Sequence, residues 1–367
     1  MNNNHVTVLE IDSHAVLHNL AYFKQKLQPK TKILAVVKAF GYGSDATEIA
    51  KIVQDHVDYF AVAYSNEGIT LREAGITTPI LVLHPQLQNL KDIVAYRLEP
   101  NLYNFKIFDA FLKLADEKPL MNYPIHLKFN TGLNRLGFWH TDVPNIITEL
   151  KKSNNVKVES IFSHLAASED ANEQEFTIGQ INNFAFIVRK IYKHLGYKPM
   201  IHILNTSGVI NYSKAQFDMV RLGIGLYGFG NDKKETSKLK NTHNLKSIIS
   251  QINIIKPGET VGYNRAFVAS KTTKSATIPI GHADGISRKL GNKNGFVLIN
   301  GQSAPIIGNV CMDMIMVDVT KINCNEGDEV IVFNHQKHIE YMAHKCETIP
   351  YEILTALSQR IKRLVKR

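Results

Sequence analysis

Cysteine is scarce in this chain: Cys311, Cys324 and Cys346 are the three in 367 residues, an odd number with no C-x-x-C pair. That spacing gives neither a disulfide framework nor a structural zinc site, so reduced thiols and no metal are expected. Long apolar runs are missing as well, none approaching the roughly 20 residues that span a bilayer. The amino-terminal Met1-Asn2-Asn3-Asn4-His5 lacks the basic and apolar regions of a signal peptide, so a cytoplasmic location without a membrane partner is expected. Low-complexity segments are absent. The formal net charge is +10, yet the lysines are scattered through Lys151-Lys152, Lys233-Lys234 and Lys238 to Lys246 with no aromatic-interleaved basic patch. Nucleic acid is therefore not an expected partner, whereas small anionic ligands suit this charge. The basic tail Arg360 to Arg367 reads as a solvated helix end that complements its own dipole.

What is present is an ordinary globular composition, 44% hydrophobic and 21% charged, long enough for two domains. Eight short β-rich runs alternate with helical patterns: Ile33 to Val37, Tyr59 to Tyr64, Pro79 to His84, a weak one at Leu98 to Tyr103, Ile125 to Phe129, Val158 to Ser163, Met200 to Leu204, and Met219 to Leu226. Amphipathic stretches lie between them, such as Val16, Leu20, Phe23 and Leu27 behind a Ser13 cap, and the long Gln174 to Gly196 segment. Eight βα units predict a TIM barrel, since a doubly wound open sheet has no need of eight strands. After the polar stretch Asn231 to Lys246 the pattern changes to short strands punctuated by Pro257-Gly258, Asn294-Gly295, Asn300-Gly301 and Glu326-Gly327-Asp328. The expected division is thus an α/β barrel over 1–236 and a mostly β domain over 237–367. The early run Val6 to Ile11 has no place among the eight and is expected to pair with the second domain.

Lys38 ends the first barrel run and enters the glycine-rich Ala39-Phe40-Gly41-Tyr42-Gly43. A lysine at the carboxyl end of a buried strand is desolvated, which lowers its pKa and frees the amine to form a Schiff base. A lysine snorkelling to water is the alternative on this segment alone. Polar residues past the other strands converge on the same face: Asn130-Thr131-Gly132, His164, Asn205-Thr206-Ser207-Gly208, and Arg221 with Gly223-Ile224. Taken singly, His164 could be a core histidine, Arg221 and Arg135 surface charges, and Thr206-Ser207 a helix cap. A reactive lysine opposite a phosphate cup at strands seven and eight points to pyridoxal 5′-phosphate.

The chain resembles the alanine racemases, pyridoxal-phosphate enzymes of fold type III, over nearly its whole length. Ala35-Val36-Val37-Lys38-Ala39 with Tyr42-Gly43 is similar to the family's cofactor-lysine motif, whose tyrosine contacts the phosphate. His126 to Gly137 resembles the segment whose arginine, here Arg135, contacts the phenolic oxygen of the cofactor and the substrate carboxylate. Its lysine, here Lys128, is carbamylated in many members. His202 to Ser207 and Arg221 to Gly228 resemble the phosphate and pyridine contacts, implying Asn205, Thr206, Gly223 and Ile224 as cofactor ligands and Arg221 facing the pyridine nitrogen. In the second domain Val261-Gly262-Tyr263-Asn264-Arg265 resembles the segment of the second catalytic base. Gly308 to Asp313 resembles the one whose Met312 and Asp313 approach the substrate, and Thr348 to Glu352 the one whose Tyr351 reaches the phosphate. Phe40, Ser44, Asn130, Thr206, His282 and Asn309 depart from the family's usual Asn, His, Asp, Ser, Tyr and Arg.

The resemblance implies a head-to-tail homodimer that makes D-alanine for peptidoglycan. Lys38 and His164 would lie in one subunit and Tyr263 would come from its neighbour, with Lys38 and Tyr263 as bases on opposite faces of the substrate. A serine or broad-specificity racemase, a fold type III decarboxylase and a non-catalytic cofactor carrier are the alternatives. A decarboxylase would pair an acid, not Arg221, with the pyridine nitrogen, and a single-barrel carrier would lack the second domain.

Overall fold

The computed structural model describes residues 5–118, 120–152, 154–230 and 232–367. The amino terminus over 1–4, expected to hold no leader, and residue 231, the start of the polar stretch, lie outside the described residues. All eight expected runs are strands of one parallel sheet: β2 (Lys32–Val36), β3 (Tyr59–Val62), β4 (Ile80–Val82), β5 (Glu99–Leu102), β6 (Tyr123–Lys128), β7 (Val156–Phe162), β8 (Met200–His202) and β9 (Met219–Leu222). The pairing runs from β8 in descending order to β2 and then to β9. Two backbone bonds bridge the remaining seam, Asp218 N–H to Ile201 C=O at 3.1 Å and Arg221 N–H to Leu204 C=O at 3.0 Å. The ring therefore closes into a barrel, which leaves no open edge on this sheet.

The run read as strand from Met219 to Leu226 stops at Leu222, and the rest is a 3-10 turn over Ile224–Tyr227. Reading it as strand conceals that Gly223, Gly225 and Gly228 spell G-x-G-x-x-G. Here the glycines serve close packing in place of a dinucleotide turn: a Cβ at Gly225 would meet the Phe23 ring at 2.4 Å, and one at Gly228 the Lys240 carbonyl at 2.5 Å. The helix after β1 (Val8–Asp12) spans Ser13–Lys24, and its cap is Asp12, not Ser13; the Asp12 carboxylate accepts from Ala15 N–H at 2.9 Å.

The second domain is a nine-stranded sheet whose order is β11, β14, β17, β16, β15, β18, β10, β1, β19. Its strands include β10 (His243–Ile248), β11 (Gln251–Ile255), β14 (Thr273–Ile278), β15 (Phe296–Ile299), β16 (Gln302–Ile307), β17 (Ile315–Asp318), β18 (Glu329–Phe333) and β19 (Lys362–Lys366), with the short ribbon β12 (Thr260–Val261) and β13 (Phe267–Val268) beside it. The early strand β1 pairs antiparallel with β10, as expected from its exclusion from the barrel. Asn300-Gly301 makes the β15–β16 hairpin, both residues at positive φ. Two expectations fail. The polar stretch to Lys246 already contains the start of β10, whose alternating burial marks a half-covered strand. The basic tail is the strand β19, parallel to β1, not a helix end. An unpaired edge of β1 offers backbone partners that a solvated helix would forgo, and Lys366 adds an ion pair to Glu10 at 3.0 Å.

Candidate active site

Val37 ends the first barrel strand, and Lys38 opens a turn in which Ala39 (φ 54°), Phe40 (φ 54°), Gly41 (φ 60°) and Tyr42 (φ 54°) are all left-handed. Left-handed backbone costs about 1–2 kcal/mol per non-glycine residue, so the surroundings must hold it. Glu67 does so at one end: its carboxylate accepts Ala39 N–H at 2.7 Å while its other oxygen accepts Ala63 N–H at 2.7 Å. Arg363 of β19 holds the other end, donating to the Gly43 carbonyl with its guanidinium over the Phe40 ring at 5.1 Å.

A cavity of about 500 Å³ opens at the carboxyl ends of the barrel strands. Its walls include Lys38, Tyr42, Lys128, Arg135, His164, Asn205, Thr206, Arg221, Gly223, Ile224 and Tyr351, together with Tyr64, His84 and Phe162. Lys38, Tyr42, Lys128, Arg135, His164, Asn205, Thr206, Arg221, Gly223 and Ile224 are thus in one place, joined by Tyr351 from the second domain, whereas Asn130-Thr131-Gly132 and Ser207-Gly208 do not line the cavity. Four of the wall residues are lysine or arginine and none is a carboxylate. Burial lowers the Lys38 pKa, aided by Arg135 and Arg221 and opposed by Glu67. Lys128, 7% exposed at the end of β6, is drawn down to about 7 by burial and then by Arg135, Arg221 and Lys38.

Arg221 is 4% exposed, so the surface-charge reading is excluded. Its guanidinium donates to His202 Nδ1 at 2.8 Å, His164 Nδ1 at 2.9 Å, and the carbonyls of Ser163 and Ile203 at 2.8 and 3.0 Å. Burial pulls its pKa to about 9, which leaves it a cation at neutral pH. Since guanidinium only donates, the Nδ1 atoms of both histidines must be acceptors, and a neutral His164 then carries its proton on Nε2. Burial and Arg221 push the His164 pKa well below the usual histidine range, consistent with a neutral ring.

The opposite wall is held by a helix cap, a hydroxyl and a pair of stacked phenols. Asn205, not Thr206, caps the helix Thr206–Asn211 by accepting Gly208 N–H at 2.8 Å. Thr206 Oγ1 accepts Gly223 N–H at 3.1 Å and fixes the turn after β9. Tyr42 stacks on Tyr227 at 4.6 Å and faces Tyr351 at 6.0 Å. A Cβ at Gly223 would lie 2.5 Å from Tyr42 Oη, so only glycine keeps this corner open.

Tyr263, Met312 and Asp313 do not reach this cavity within one chain. Tyr263 is 72% and Met312 58% exposed, and Asp313 accepts from Arg360 at 2.7 Å. Asn309 fixes the Tyr263 backbone, its amide donating to the Tyr263 carbonyl at 3.1 Å. Asn130 orders the Arg135 loop, its side-chain oxygen accepting Gly132 and Asn134 N–H at 3.1 and 3.0 Å, as the family's Asp could. Ser44 binds His243 Nε2 at 2.5 Å, away from the cavity wall. Missed from the sequence were Glu67, His202 as a ligand of Arg221, and Arg363; each acts across the fold and carries no local signature.

The family model described as "Alanine racemase, N-terminal domain" matches residues 11–230, and "Alanine racemase, C-terminal domain" matches residues 242–365. The protein "Alanine racemase 2" of Caldanaerobacter subterraneus subsp. tengcongensis is 34% identical over 368 residues, covering 98% of this chain and 94% of its own. The solved alanine racemase of Clostridium difficile 630 superposes with a TM-score of 0.93 at 32% identity, covering 98% of this chain and 96% of that one. That of Bartonella henselae, with covalently bound pyridoxal phosphate, gives 0.88 at 29% identity over 98% and 99% of the two chains. With both domains matched in order, this chain belongs to the alanine racemase family.

Proposed function

We propose that this chain is a racemase that interconverts L-alanine and D-alanine, with pyridoxal 5′-phosphate bonded to Lys38. The observation that carries this reading is the cavity wall of Lys38, Lys128, Arg135 and Arg221 with no carboxylate. Such a wall selects a ligand with anionic groups, and its size suits a cofactor with a small amino acid. The residues fit the cofactor. Tyr42, Asn205, Thr206, Gly223, Ile224 and Tyr351 would hold the phosphate, in the corner that a Cβ at Gly223 would fill. Arg221 would face the pyridine nitrogen, and Arg135 the phenolic oxygen and the substrate carboxylate.

The chemistry that the cofactor supplies when bound is an electron sink conjugated to the substrate α-carbon, which acidifies its hydrogen. Arg221 cannot accept a proton, so it keeps the ring nitrogen unprotonated and the sink weak, which disfavours decarboxylation and transamination. Lys38, whose amine would be freed when the substrate amine takes its place on the cofactor and whose pKa burial lowers, would then take the α-proton on one face. The partner subunit's Tyr263 serves the other face. The His164 Nε2–H would be a donor for the phenolate oxygen of that residue. Tyr263 is exposed on its own chain, which supports a head-to-tail homodimer in which Met312 and Asp313 also approach the substrate. Lys128, with a pKa near 7, has enough neutral amine to take up carbon dioxide, and the carbamate would offset the surrounding cations. Among the described residues no helix is long and apolar enough to cross a membrane. We place the domain boundary at 236/237 and the enzyme in the cytoplasm.

The test is incubation with single-enantiomer alanine in D₂O. Loss of optical activity with deuterium at the α-carbon, and borohydride fixation of the cofactor at Lys38, are expected. Alanine that stays optically pure, or an adduct at another lysine, overturns the reading.

A further inference from the structure

One residue from each of five consecutive barrel strands joins in a single buried chain of hydrogen bonds. Arg221 (β9) meets His202 Nδ1 (β8) at 2.8 Å, and His202 Nε2 meets Ser160 Oγ (β7) at 2.9 Å. Ser160 Oγ meets His126 Nδ1 (β6) at 2.6 Å, and His126 Nε2 meets the Glu99 carboxylate (β5) at 2.7 Å. His126, Ser160 and His202 are fully buried, and Glu99 is 8% exposed. Glu99 is the first residue of its strand, on the floor of the barrel, whereas Arg221 faces the cavity at its mouth.

With both histidines neutral, one set of bond directions satisfies both ends of this chain. Guanidinium has no acceptor, so the bond from Arg221 forms only when His202 Nδ1 accepts and the His202 proton sits on Nε2. Ser160 then accepts from His202, and its hydroxyl proton points to His126 Nδ1. That puts the His126 proton on Nε2, where it donates to Glu99. Read from the other end, a carboxylate has no donor, so it demands the same His126 tautomer and hence the same sequence of protons. The donor-only end and the acceptor-only end agree, and no member is left unsatisfied. A barrel interior is normally apolar, and a polar chain is tolerated there only when complete.

We propose that Glu99 is a positioning residue for Arg221: from the barrel floor it fixes the tautomers of His126 and His202, so that Arg221 meets an acceptor and holds its guanidinium against the cofactor ring. The proposal rests on the reading that Arg221 faces the pyridine nitrogen, but the relay itself can be tested without cofactor. Were His202 to carry its proton on Nδ1, two N–H groups would oppose each other and the guanidinium would have to turn away. Tyr59 packs edge-on against His126 at 6.0 Å, and its phenol pKa is raised by burial and then by Glu99, as expected beside an anion.

Nitrogen-15 spectra of histidine-labelled apoprotein test the relay, with wild type, Glu99→Gln and Glu99→Leu compared. Expected in wild type and in Glu99→Gln is a proton on Nε2 of both His126 and His202, because the amide oxygen of Gln still accepts. In Glu99→Leu the tautomers should mix, and the dissociation constant for pyridoxal phosphate should rise about tenfold, the scale of one lost buried partner. Gln should restore the affinity to within about twofold of wild type. A proton on His202 Nδ1 in wild type, or unchanged tautomers and affinity in Glu99→Leu, overturns the proposal. An ordered relay in a protein that binds no cofactor would instead count against the function proposed above.

Discussion

Arg363 donates two hydrogen bonds to the carbonyl of Gly43, 320 residues away, from Nε at 3.0 Å and Nη2 at 2.8 Å. The last strand of the second domain thereby closes the left-handed turn that begins at Lys38 in the first. Arg363→Met keeps the length of the side chain but removes the guanidinium donor from that carbonyl and from those of Leu357, Ser358 and Ile361, of which Ser358 keeps the Ile361 N–H. Chemical denaturation should report a loss of about 1–3 kcal/mol, and cofactor affinity should fall with it because the turn carries both Lys38 and Tyr42.

Two glycines separate local from tertiary requirements. Gly223→Ala puts a methyl group 2.5 Å from Tyr42 Oη and should weaken cofactor binding at least tenfold while costing about 1–3 kcal/mol of stability. Gly179 lies inside the helix Gln174–Leu195 with nothing near its missing Cβ. Gly179→Ala should raise stability by about 0.5–1 kcal/mol and leave cofactor affinity unchanged. Urea titration and cofactor fluorescence would check both.

Lys128 gives a pH dependence whose sign is determined. With a folded pKa near 7 against an ordinary value of 10.5, the unfolded chain holds a proton between those limits that the folded chain has released. Apoprotein stability should therefore rise from pH 7.5 to 9, by up to about 1.4 kcal/mol per unit, and Lys128→Met should reduce the slope. Carbon-13 bicarbonate should label the wild type with a carbamate carbon signal that Lys128→Met lacks.

Tyr263 is exposed, so Tyr263→Phe should leave the melting temperature unchanged while activity falls more than about 10²-fold. Mixed with an equal amount of inactive Lys38→Ala, it should regain about a quarter of wild-type activity after subunit exchange. Half the dimers are then mixed, and each has one site with both bases. A mixture that stays inactive would show that the two bases do not come from different subunits.

Most of the barrel strands were legible because they are short β-branched or aromatic runs bounded by turn residues, whereas β5, Glu-Pro-Asn-Leu, left only a weak signal; the placement of β1 was legible by exclusion. Lys38 stood out as a lysine at the end of a buried run; His164 and Arg221 gained weight only by converging on the same face, and Arg135 only through the family resemblance. The tail strand β19 was not, because its basic residues suit a solvated helix until the open edge of β1 is known. The end of β9 was blurred because Gly223 to Tyr227 is as apolar as the strand before it.

The sequence by itself determined the alternation that makes a barrel, the lysine at a strand end and the anionic character of the ligand, since periodicity, turn chemistry and charge are properties of neighbouring residues. Only the tertiary structure decided that Arg221 is buried among neutral partners, that Arg363 holds the turn after Lys38, and that Glu99 lies four hydrogen bonds from the cavity. Such contacts join residues tens to hundreds of positions apart, and their energies depend on burial that no local pattern records.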